Sequence, residues 1–125
     1  MKAQDQSHIT DDQKQAVVSK AVVRAAERMG LKGQDLAEIL GVSPANISRL
    51  KNHGYVLSGK PYELAVHLVR LFRSLAALTG GDDGVAADWM RNEHRVFRQK
   101  PVELIKTAKG LVDCVSYVDS HRAPI

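Results

Sequence analysis

The chain has 125 residues, which allows one ordinary domain or two very small ones. Its apolar fraction of 44% argues against wholesale disorder, and its single cysteine excludes an internal disulfide framework. The 18 basic and 14 acidic side chains leave a net charge of +4, which permits nucleic-acid binding without requiring it.

The basic side chains are not evenly balanced along the chain. Residues 1–60 carry nine basic and six acidic side chains, whereas residues 61–125 carry nine and eight. The first half is therefore the better place to look for a phosphate-binding face. The polar, acidic start predicts neither a signal peptide nor a transit peptide, and no apolar run predicts a membrane span. We expect a cytoplasmic protein with no membrane partner.

The predicted elements are all helical, so the expected fold class is all-α. Apolar spacing predicts a first helix over residues 11–29, stopped by Gly30, and two short helices over 33–40 and 44–52. A loop follows, with room for an extended piece at 55–57. The wide apolar stripe of residues 61–78 predicts the central core helix, which would begin at Pro61. Beyond a break at 79–84, helices are expected over 85–93, from Pro101, and over 111–120.

Residues 33–52, GQDLAEILGVSPANISRLKN, carry the sharpest pattern. Ala37 is small where two helices must approach closely, Gly41 supplies the positive φ of a tight turn, and Ile47 points back into the crossing. Ser43 suits the N-cap of the second helix, and Pro44 suits its first position. Four more apolar residues complete the crossing: Leu36, Leu40, Val42 and Leu50. The pattern predicts a helix-turn-helix; the alternative is a simple αα-hairpin with solvated polar residues.

The second of these helices would be the recognition helix of a DNA-binding unit. Asn46 or Asn52 suits adenine, and Arg49 suits guanine or phosphate. The complete set of candidate DNA contacts is Ser43, Ala45, Asn46, Ser48, Arg49, Lys51 and Asn52. Folds of this kind are also reused as docking modules, so a helix-turn-helix without DNA binding is a further alternative.

The second half offers no catalytic pattern. Its histidines lack partners at the spacing of zinc ligands, and Gly80-Gly81 lacks the lysine of a phosphate-binding loop. Cys114 falls at an apolar spacing in the last helix, which predicts a buried and inert thiol. We therefore expect a protein that is not an enzyme, with no catalytic residue, no metal and no cofactor.

The order of these features resembles the Xre/MbcA/ParS antitoxins of type II toxin–antitoxin systems, whose toxins carry a RES domain. The likeness covers a helix-turn-helix, ELAVHLVRLFRSLAALTGGD, a tryptophan, and PVELIKTAKGLVDCVSYVDSHR. Its most specific positions are Trp89, Pro101, Glu103, Leu104, Ile105, Thr107, Gly110, Leu111 and Val115. The sequence departs from the family at residues 96–100, where many members have a glycine-rich turn.

The resemblance implies two functions. Toxins of this type are similar to ADP-ribosyl-transferring folds and deplete NAD; the antitoxin's C-terminal domain covers the route to their NAD pocket, and its N-terminal domain represses the operon by binding operator DNA. The core of the toxin-binding domain would be built by Trp89, Leu104, Ile105, Leu111 and Val115. The residues that would face the toxin are Tyr117, His121, Arg122, Pro124 and Ile125.

The resemblance and the break at 79–84 together divide the chain into three parts. These are an N-terminal helix-turn-helix domain at 1–60, a connecting core helix at 61–78 and a C-terminal toxin-binding domain at 79–125. The terminal helices of the toxin-binding domain are expected to pack against little else. The chain is expected to leave the last helix at His121 and to end in a short tail. Residues 1–9 are expected to form a loose arm.

The expected partners are a RES-domain toxin and operator DNA. Palindromic operators call for two-fold symmetry, so a homodimer and a higher-order toxin–antitoxin complex are expected as well. The alternative function is a one-component repressor whose second half serves dimerisation or ligand sensing.

Overall fold

A computed structural model describes residues 10–122 as seven helices without a strand, which confirms the all-α class. Their bounds are α1 Asp11–Arg28, α2 Gly33–Leu40, α3 Pro44–Lys51, α4 Gly59–Leu78, α5 Asp83–Arg91, α6 Pro101–Leu104 and α7 Ala108–Arg122. The expected arm at residues 1–9 and the tail residues Pro124 and Ile125 lie outside the described part. None of the described helices is long and apolar enough to cross a membrane.

The first helix begins and ends at local signals in the sequence. The Thr10 hydroxyl accepts a hydrogen bond from the Gln13 N–H at 3.1 Å, and the Gln13 side chain accepts one from the Thr10 N–H at 2.9 Å. This reciprocal capping box satisfies two amide groups that the first turn would otherwise leave unpaired. At the other end Gly30 has φ +72°, and the predicted stop there is confirmed.

Two helices begin earlier than their apolar patterns predict. The central helix α4 begins at Gly59 rather than at Pro61. The helix α5 begins at Asp83 rather than at Val85, because the Asp82 carboxylate caps it by accepting the Val85 N–H at 3.1 Å. These first turns carry few apolar side chains, so hydrophobic periodicity underestimates the length of both helices.

The last helix is longer at both ends than the predicted span of 111–120. It begins at Ala108, and the Thr107 hydroxyl accepts the Gly110 N–H at 3.0 Å. It continues through His121 and Arg122, so the expectation that the chain leaves the helix at His121 is wrong. The physical reason is that the proline at position 124 restricts the residue directly before it and not those further back.

The helix α4 is the central core helix, as predicted. Leu68, Leu71 and Leu75 are fully buried, and α4 packs against α1 on one side and α7 on the other. The expectation that the terminal helices pack against little else is wrong for α7, which lies along α4. It contributes a buried apolar face consisting of Leu111, Cys114, Val115 and Val118.

Polar contacts fix the position of α7 on α4. The Asp119 carboxylate accepts a hydrogen bond from Arg70 Nη2 at 2.7 Å and another from the hydroxyl of Ser74, which is buried. A second buried hydroxyl, Ser19 on α1, accepts the Leu57 N–H at 2.9 Å. This contact holds the loop between α3 and α4, which contains no strand at residues 55–57.

The C-terminal end of α1 touches α5. Arg28 Nε donates to the Asp83 carboxylate at 3.1 Å. A Cβ atom at Gly30 would lie 2.9 Å from the Ala87 Cβ and 2.8 Å from Arg91 Nη1. Glycine is therefore required at position 30 both for its positive φ and for the close approach of two chain segments that are distant in sequence.

We predict that Gly30→Ala lowers the free energy of unfolding by about 3 kcal/mol, because it adds steric overlap to backbone strain. The matched control is Gly80→Ala: Gly80 has φ +68°, but no atom lies within 4 Å of the position that its Cβ would occupy, so about 1 kcal/mol is expected. Urea denaturation followed by circular dichroism measures both variants. Equal losses would contradict the tight contact between α1 and α5.

Candidate functional site

The helices α2 and α3 form the predicted helix-turn-helix crossing. Ala37, Ile47 and Leu50 are buried between them, and Leu36 is buried beside Ala37. Gly41 ends α2 with φ +70°, the left-handed conformation that the tight turn requires. The turn therefore forms at the position that the spacing of Ala37, Gly41 and Ile47 predicts.

The N-terminus of α3 is capped as predicted. The Ser43 hydroxyl accepts the Asn46 N–H at 3.1 Å, and Pro44 occupies the first helical position. Arg49 Nη1 donates to Asn46 Oδ1 at 3.1 Å, so the two best candidates for base contacts are hydrogen-bonded to each other. This pairing orients the guanidinium along the exposed side of α3.

The seven candidate DNA contacts all lie on α3 or at its ends. Asn46 is half-buried, and the other six are exposed: Ser43, Ala45, Ser48, Arg49, Lys51 and Asn52. Asn52 is the C-cap residue and follows the helix, which ends at Lys51 rather than at the predicted residue 52. The structure thus leaves these groups available to a partner.

A second feature of this surface was not predicted from the sequence. Lys32 is the N-cap residue of α2, and the Asp35 carboxylate accepts its N–H at 3.0 Å, but no side chain caps the first amide groups of the helix itself. Lys51 Nζ lies 3.2 Å from the point where a Cβ of Gly33 would be. A hollow of about 450 Å³ opens here, and it is lined by Gly33, Gln34, Pro44, Ile47, Ser48 and Lys51. The glycine at position 33 was the available signal, since it leaves room for this ammonium group directly beside the backbone.

The predicted core of the second half is divided between buried and half-buried side chains. Ile105 and Leu111 are fully buried, and Val115 is 5% exposed. Trp89 and Leu104 are half-buried and pack against the same core. The five residues therefore lie in or against one hydrophobic cluster that also contains the buried side chains of α1 to α4.

A continuous row of rings runs from Trp89 to the C-terminal end of α7. His94 lies 4.7 Å from Trp89, Phe97 lies 5.0 Å from Tyr117, and Tyr117 stacks on His121 at 4.2 Å, measured between ring centroids. Phe97 also contacts Trp89 edge-on at 6.2 Å. His94 and Phe97 were missed in the sequence because they lie in a turn without periodicity. Their aromatic character within a polar segment was the only signal.

The predicted toxin-facing residues are placed only in part. Tyr117 is half-buried and His121 is exposed, so the row of rings reaches the surface at the end of α7. The His121 ring nitrogen Nδ1 lies 2.7 Å from the Tyr117 carbonyl oxygen. Arg122 is the last residue of α7, and its side chain lies outside the described part, as do Pro124 and Ile125.

Lys106 joins the second half to the first helix of the helix-turn-helix. Its Nζ lies 2.8 Å from Glu38 Oε1, 3.2 Å from Asp35 Oδ1 and 3.2 Å from Glu103 Oε2. Its side chain is 22% exposed. The hydrogen bond to Glu38, followed by those to Asp35 and Glu103, raises the pKa of Lys106 above its usual range, against the opposing effect of burial. The ammonium therefore remains charged throughout the physiological pH range.

The thiol of Cys114 is fully buried, as expected. Desolvation raises its pKa to about 12, so almost none of it is thiolate at neutral pH. Among the described residues, no group of three histidine, cysteine, aspartate or glutamate side chains is arranged to hold a metal ion.

Two family models match the chain, and they divide it between the two surfaces. Residues 3–70 match the antitoxin Xre-like helix-turn-helix domain, and residues 74–123 match the antitoxin Xre/MbcA/ParS C-terminal toxin-binding domain. No individual curated protein matches the chain. The features define an antitoxin that combines a DNA-binding unit with a toxin-binding unit. The chain belongs to the Xre/MbcA/ParS antitoxins.

These families are those of antitoxins and DNA-binding regulators, not of enzymes. The family implies a toxin as protein partner and DNA as the ligand of the helix-turn-helix. The match to a toxin-binding domain favours an antitoxin over a one-component repressor, because a one-component repressor needs no such partner for its second half.

We predict that Lys106→Met lowers the free energy of unfolding by about 1–2 kcal/mol, because three carboxylates lose their shared cation in a partly buried site. Lys60→Met is the matched control, since Lys60 is 74% exposed and forms one ion pair with Glu63 at 3.4 Å. We expect about 0–0.5 kcal/mol for this control. Urea denaturation compares the two, and equal losses would show that the Lys106 contacts are not structural.

Proposed function

We propose that this antitoxin neutralises a RES-domain, NAD-depleting toxin by covering its active site, and that it represses its own operon through the helix-turn-helix. The observation that carries the proposal is the division of the chain between an antitoxin helix-turn-helix and a toxin-binding domain. A protein that acts on operator DNA and on NAD metabolism works in the cytoplasm.

The recognition helix α3 reads the operator in the major groove. Arg49 and Asn46 are its base-reading pair, and Ser43 and Ser48 lie where short side chains reach phosphates or base edges. The exposure of Arg49, Ser43 and Ser48 and the hydrogen bond that joins Arg49 to the half-buried Asn46 support this assignment. The other proposed contacts of the helix are Ala45, Lys51 and Asn52.

The N-terminus of α2 binds a backbone phosphate beside the recognition helix. Its first amide groups have no side-chain cap, and Lys51 Nζ lies over Gly33 at the same end. Unpaired N–H groups and the positive end of the helix dipole favour an anion at this position. One phosphate on α2 and the bases under α3 would fix the orientation of the helix-turn-helix on the duplex.

We predict that Arg49→Ala weakens binding to a duplex from upstream of the antitoxin gene by about 5- to 150-fold, which corresponds to the loss of one specific base contact. Lys109→Ala is the matched control, because Lys109 is 87% exposed on α7 and pairs with Asp113. Fluorescence anisotropy titrations at several salt concentrations measure both affinities.

For wild-type protein, the logarithm of the affinity should fall linearly with the logarithm of the salt concentration. A flat salt response, or equal affinities of the Arg49→Ala and Lys109→Ala variants, would contradict DNA binding through α3. Such a result would favour the docking-module alternative.

The C-terminal end of α7 faces the toxin. Tyr117, His121 and Arg122 lie within its last turns, and Pro124 and Ile125 follow. A guanidinium from Arg122 can pair with an acidic catalytic group of the toxin. Because α7 lies along α4, the core of the antitoxin supports this end of the helix.

We predict that Arg122→Ala weakens the complex with the toxin encoded beside the antitoxin gene by about tenfold or more, because one charge-assisted contact is lost. Deletion of residues 121–125 should weaken it further, whereas the exposed Arg24→Ala on α1 should not. Calorimetric titration measures affinity, and cellular NAD with growth rescue measures neutralisation. Full protection by the truncated protein would contradict the tail assignment.

The functional unit on DNA is a homodimer, or two antitoxins held by a toxin dimer. The two-fold symmetry of palindromic operators supports this expectation, since each half-site requires one recognition helix. Two copies would also double the basic surface that one chain offers to the duplex.

A further inference from the structure

The positive charge of the second half is concentrated in one short segment. Residues 91–100, RNEHRVFRQK, contain four basic side chains and one acidic side chain. The remainder of residues 61–125 has five basic and seven acidic side chains, so its balance is negative. Neither the DNA-binding surface nor the C-terminal tail accounts for this segment.

Residues 94–99 form a tight turn, which we call the 94–99 turn. The His94 N–H donates to the Gln99 carbonyl at 3.2 Å, and the Arg98 N–H donates to the His94 carbonyl at 2.8 Å. Arg98 has φ +59°, a left-handed conformation that glycine adopts at lower cost. A non-glycine residue at this position carries backbone strain, so its side chain is a candidate for a function that offsets the strain.

Aromatic contacts with α5 and α7 hold the turn in place. Phe97 packs edge-on against Tyr117 of α7 at 5.0 Å and against Trp89 of α5 at 6.2 Å. His94 adds a contact with the Trp89 ring, and its Nε2 lies 2.9 Å from the Trp89 carbonyl oxygen. The 94–99 turn therefore does not need to be ordered by a partner, which lowers the entropic cost of binding.

The tip of the turn consists of Arg95, Val96 and Arg98. Val96 is 59% exposed, and both arginines are exposed. Neither arginine has a partner among the ion pairs of the side chains that the structure describes. An apolar side chain flanked by two uncompensated guanidinium groups is the composition of a protein-binding surface, in which arginine is enriched.

We propose that the tip of the 94–99 turn is a second contact with the toxin, beside the end of α7. It inserts Val96 into an apolar depression of the toxin surface, and Arg95 and Arg98 pair with carboxylates on the rim of that depression. The inference rests on the proposed function and extends it, because it adds a contact that remains when the tail is removed.

The row of aromatic rings connects the 94–99 turn to the end of α7, which favours the toxin over DNA as the partner that binds the turn. Phe97 contacts Tyr117, and Tyr117 stacks on His121, so the turn and the end of α7 form one continuous surface. The exposed valine at the tip is of little use against a phosphate backbone, whereas a protein partner can bury it. The two arginines then orient the two proteins relative to each other and increase their association rate.

The test is the double charge reversal Arg95→Glu/Arg98→Glu in the full chain, measured by calorimetric titration against the toxin encoded beside the antitoxin gene. We expect at least about a tenfold loss of affinity, because two attractive pairs become repulsive. The matched control is Lys20→Glu/Arg24→Glu, which changes the net charge equally at two exposed positions of α1, outside the toxin-binding domain. Affinity for the operator duplex is measured for all proteins.

The outcomes separate the two proposals. If wild-type protein does not bind the toxin, the proposed function fails. If wild-type protein binds and both double variants bind equally well, the proposed function stands and the contact at the 94–99 turn is overturned. It is overturned as well if the Arg95→Glu/Arg98→Glu variant loses only its affinity for DNA.

A second variant, Arg98→Gly, separates the side chain from the backbone. Glycine suits the positive φ, so we expect an unchanged or higher Tm together with weaker toxin binding. Undiminished affinity of Arg98→Gly would show that the arginine does not contact the toxin.

Discussion

The burial of α4 between α1 and α7 is the constraint on which the rest of the structure depends. Leu68, Leu71 and Leu75 of α4 are fully buried, and removing each of these side chains from water stabilises the fold by about 1.5–3 kcal/mol. Because α4 follows the helix-turn-helix directly and α7 carries the end of the toxin-binding domain, one helix supports both functional surfaces. The two functions of the antitoxin therefore share a single hydrophobic core.

Polar contacts determine how the surfaces are oriented on that core. Lys106 connects α2 to the second half through Glu38 and Asp35, and Asp119 connects α7 to α4 through Arg70. The first contact bears on the DNA-binding unit and the second on α7, the helix that we propose faces the toxin. Both link residues that are far apart in the chain, so they restrict the two surfaces relative to each other. A toxin bound at the end of α7 would thus be supported by the same hydrophobic core as the recognition helix.

Much of this fold follows from local sequence signals, and the remainder does not. The helix-turn-helix was predictable because Ala37, Gly41 and Ile47 act within one short segment, where spacing determines contact. The starts of α4 and α7 were not predictable in this way, since their polar first turns carry no apolar periodicity. The contacts of Lys106 were not predictable as a group. Glu103 lies only three residues before Lys106, whereas the carboxylates of Asp35 and Glu38 reach the same ammonium through the packing of α2. The roles of the individual surface residues remain predictions.

Because they share one hydrophobic core, we expect the DNA-binding and toxin-binding halves to unfold as one cooperative unit. Trp89 is the only tryptophan of the chain and lies in the second half, so its fluorescence follows that half alone. Far-UV circular dichroism follows the helices of both halves. Urea denaturation monitored by both signals should give superimposable curves with one midpoint. A tryptophan transition displaced from the loss of helicity would contradict the account, because the two halves would then have separate cores.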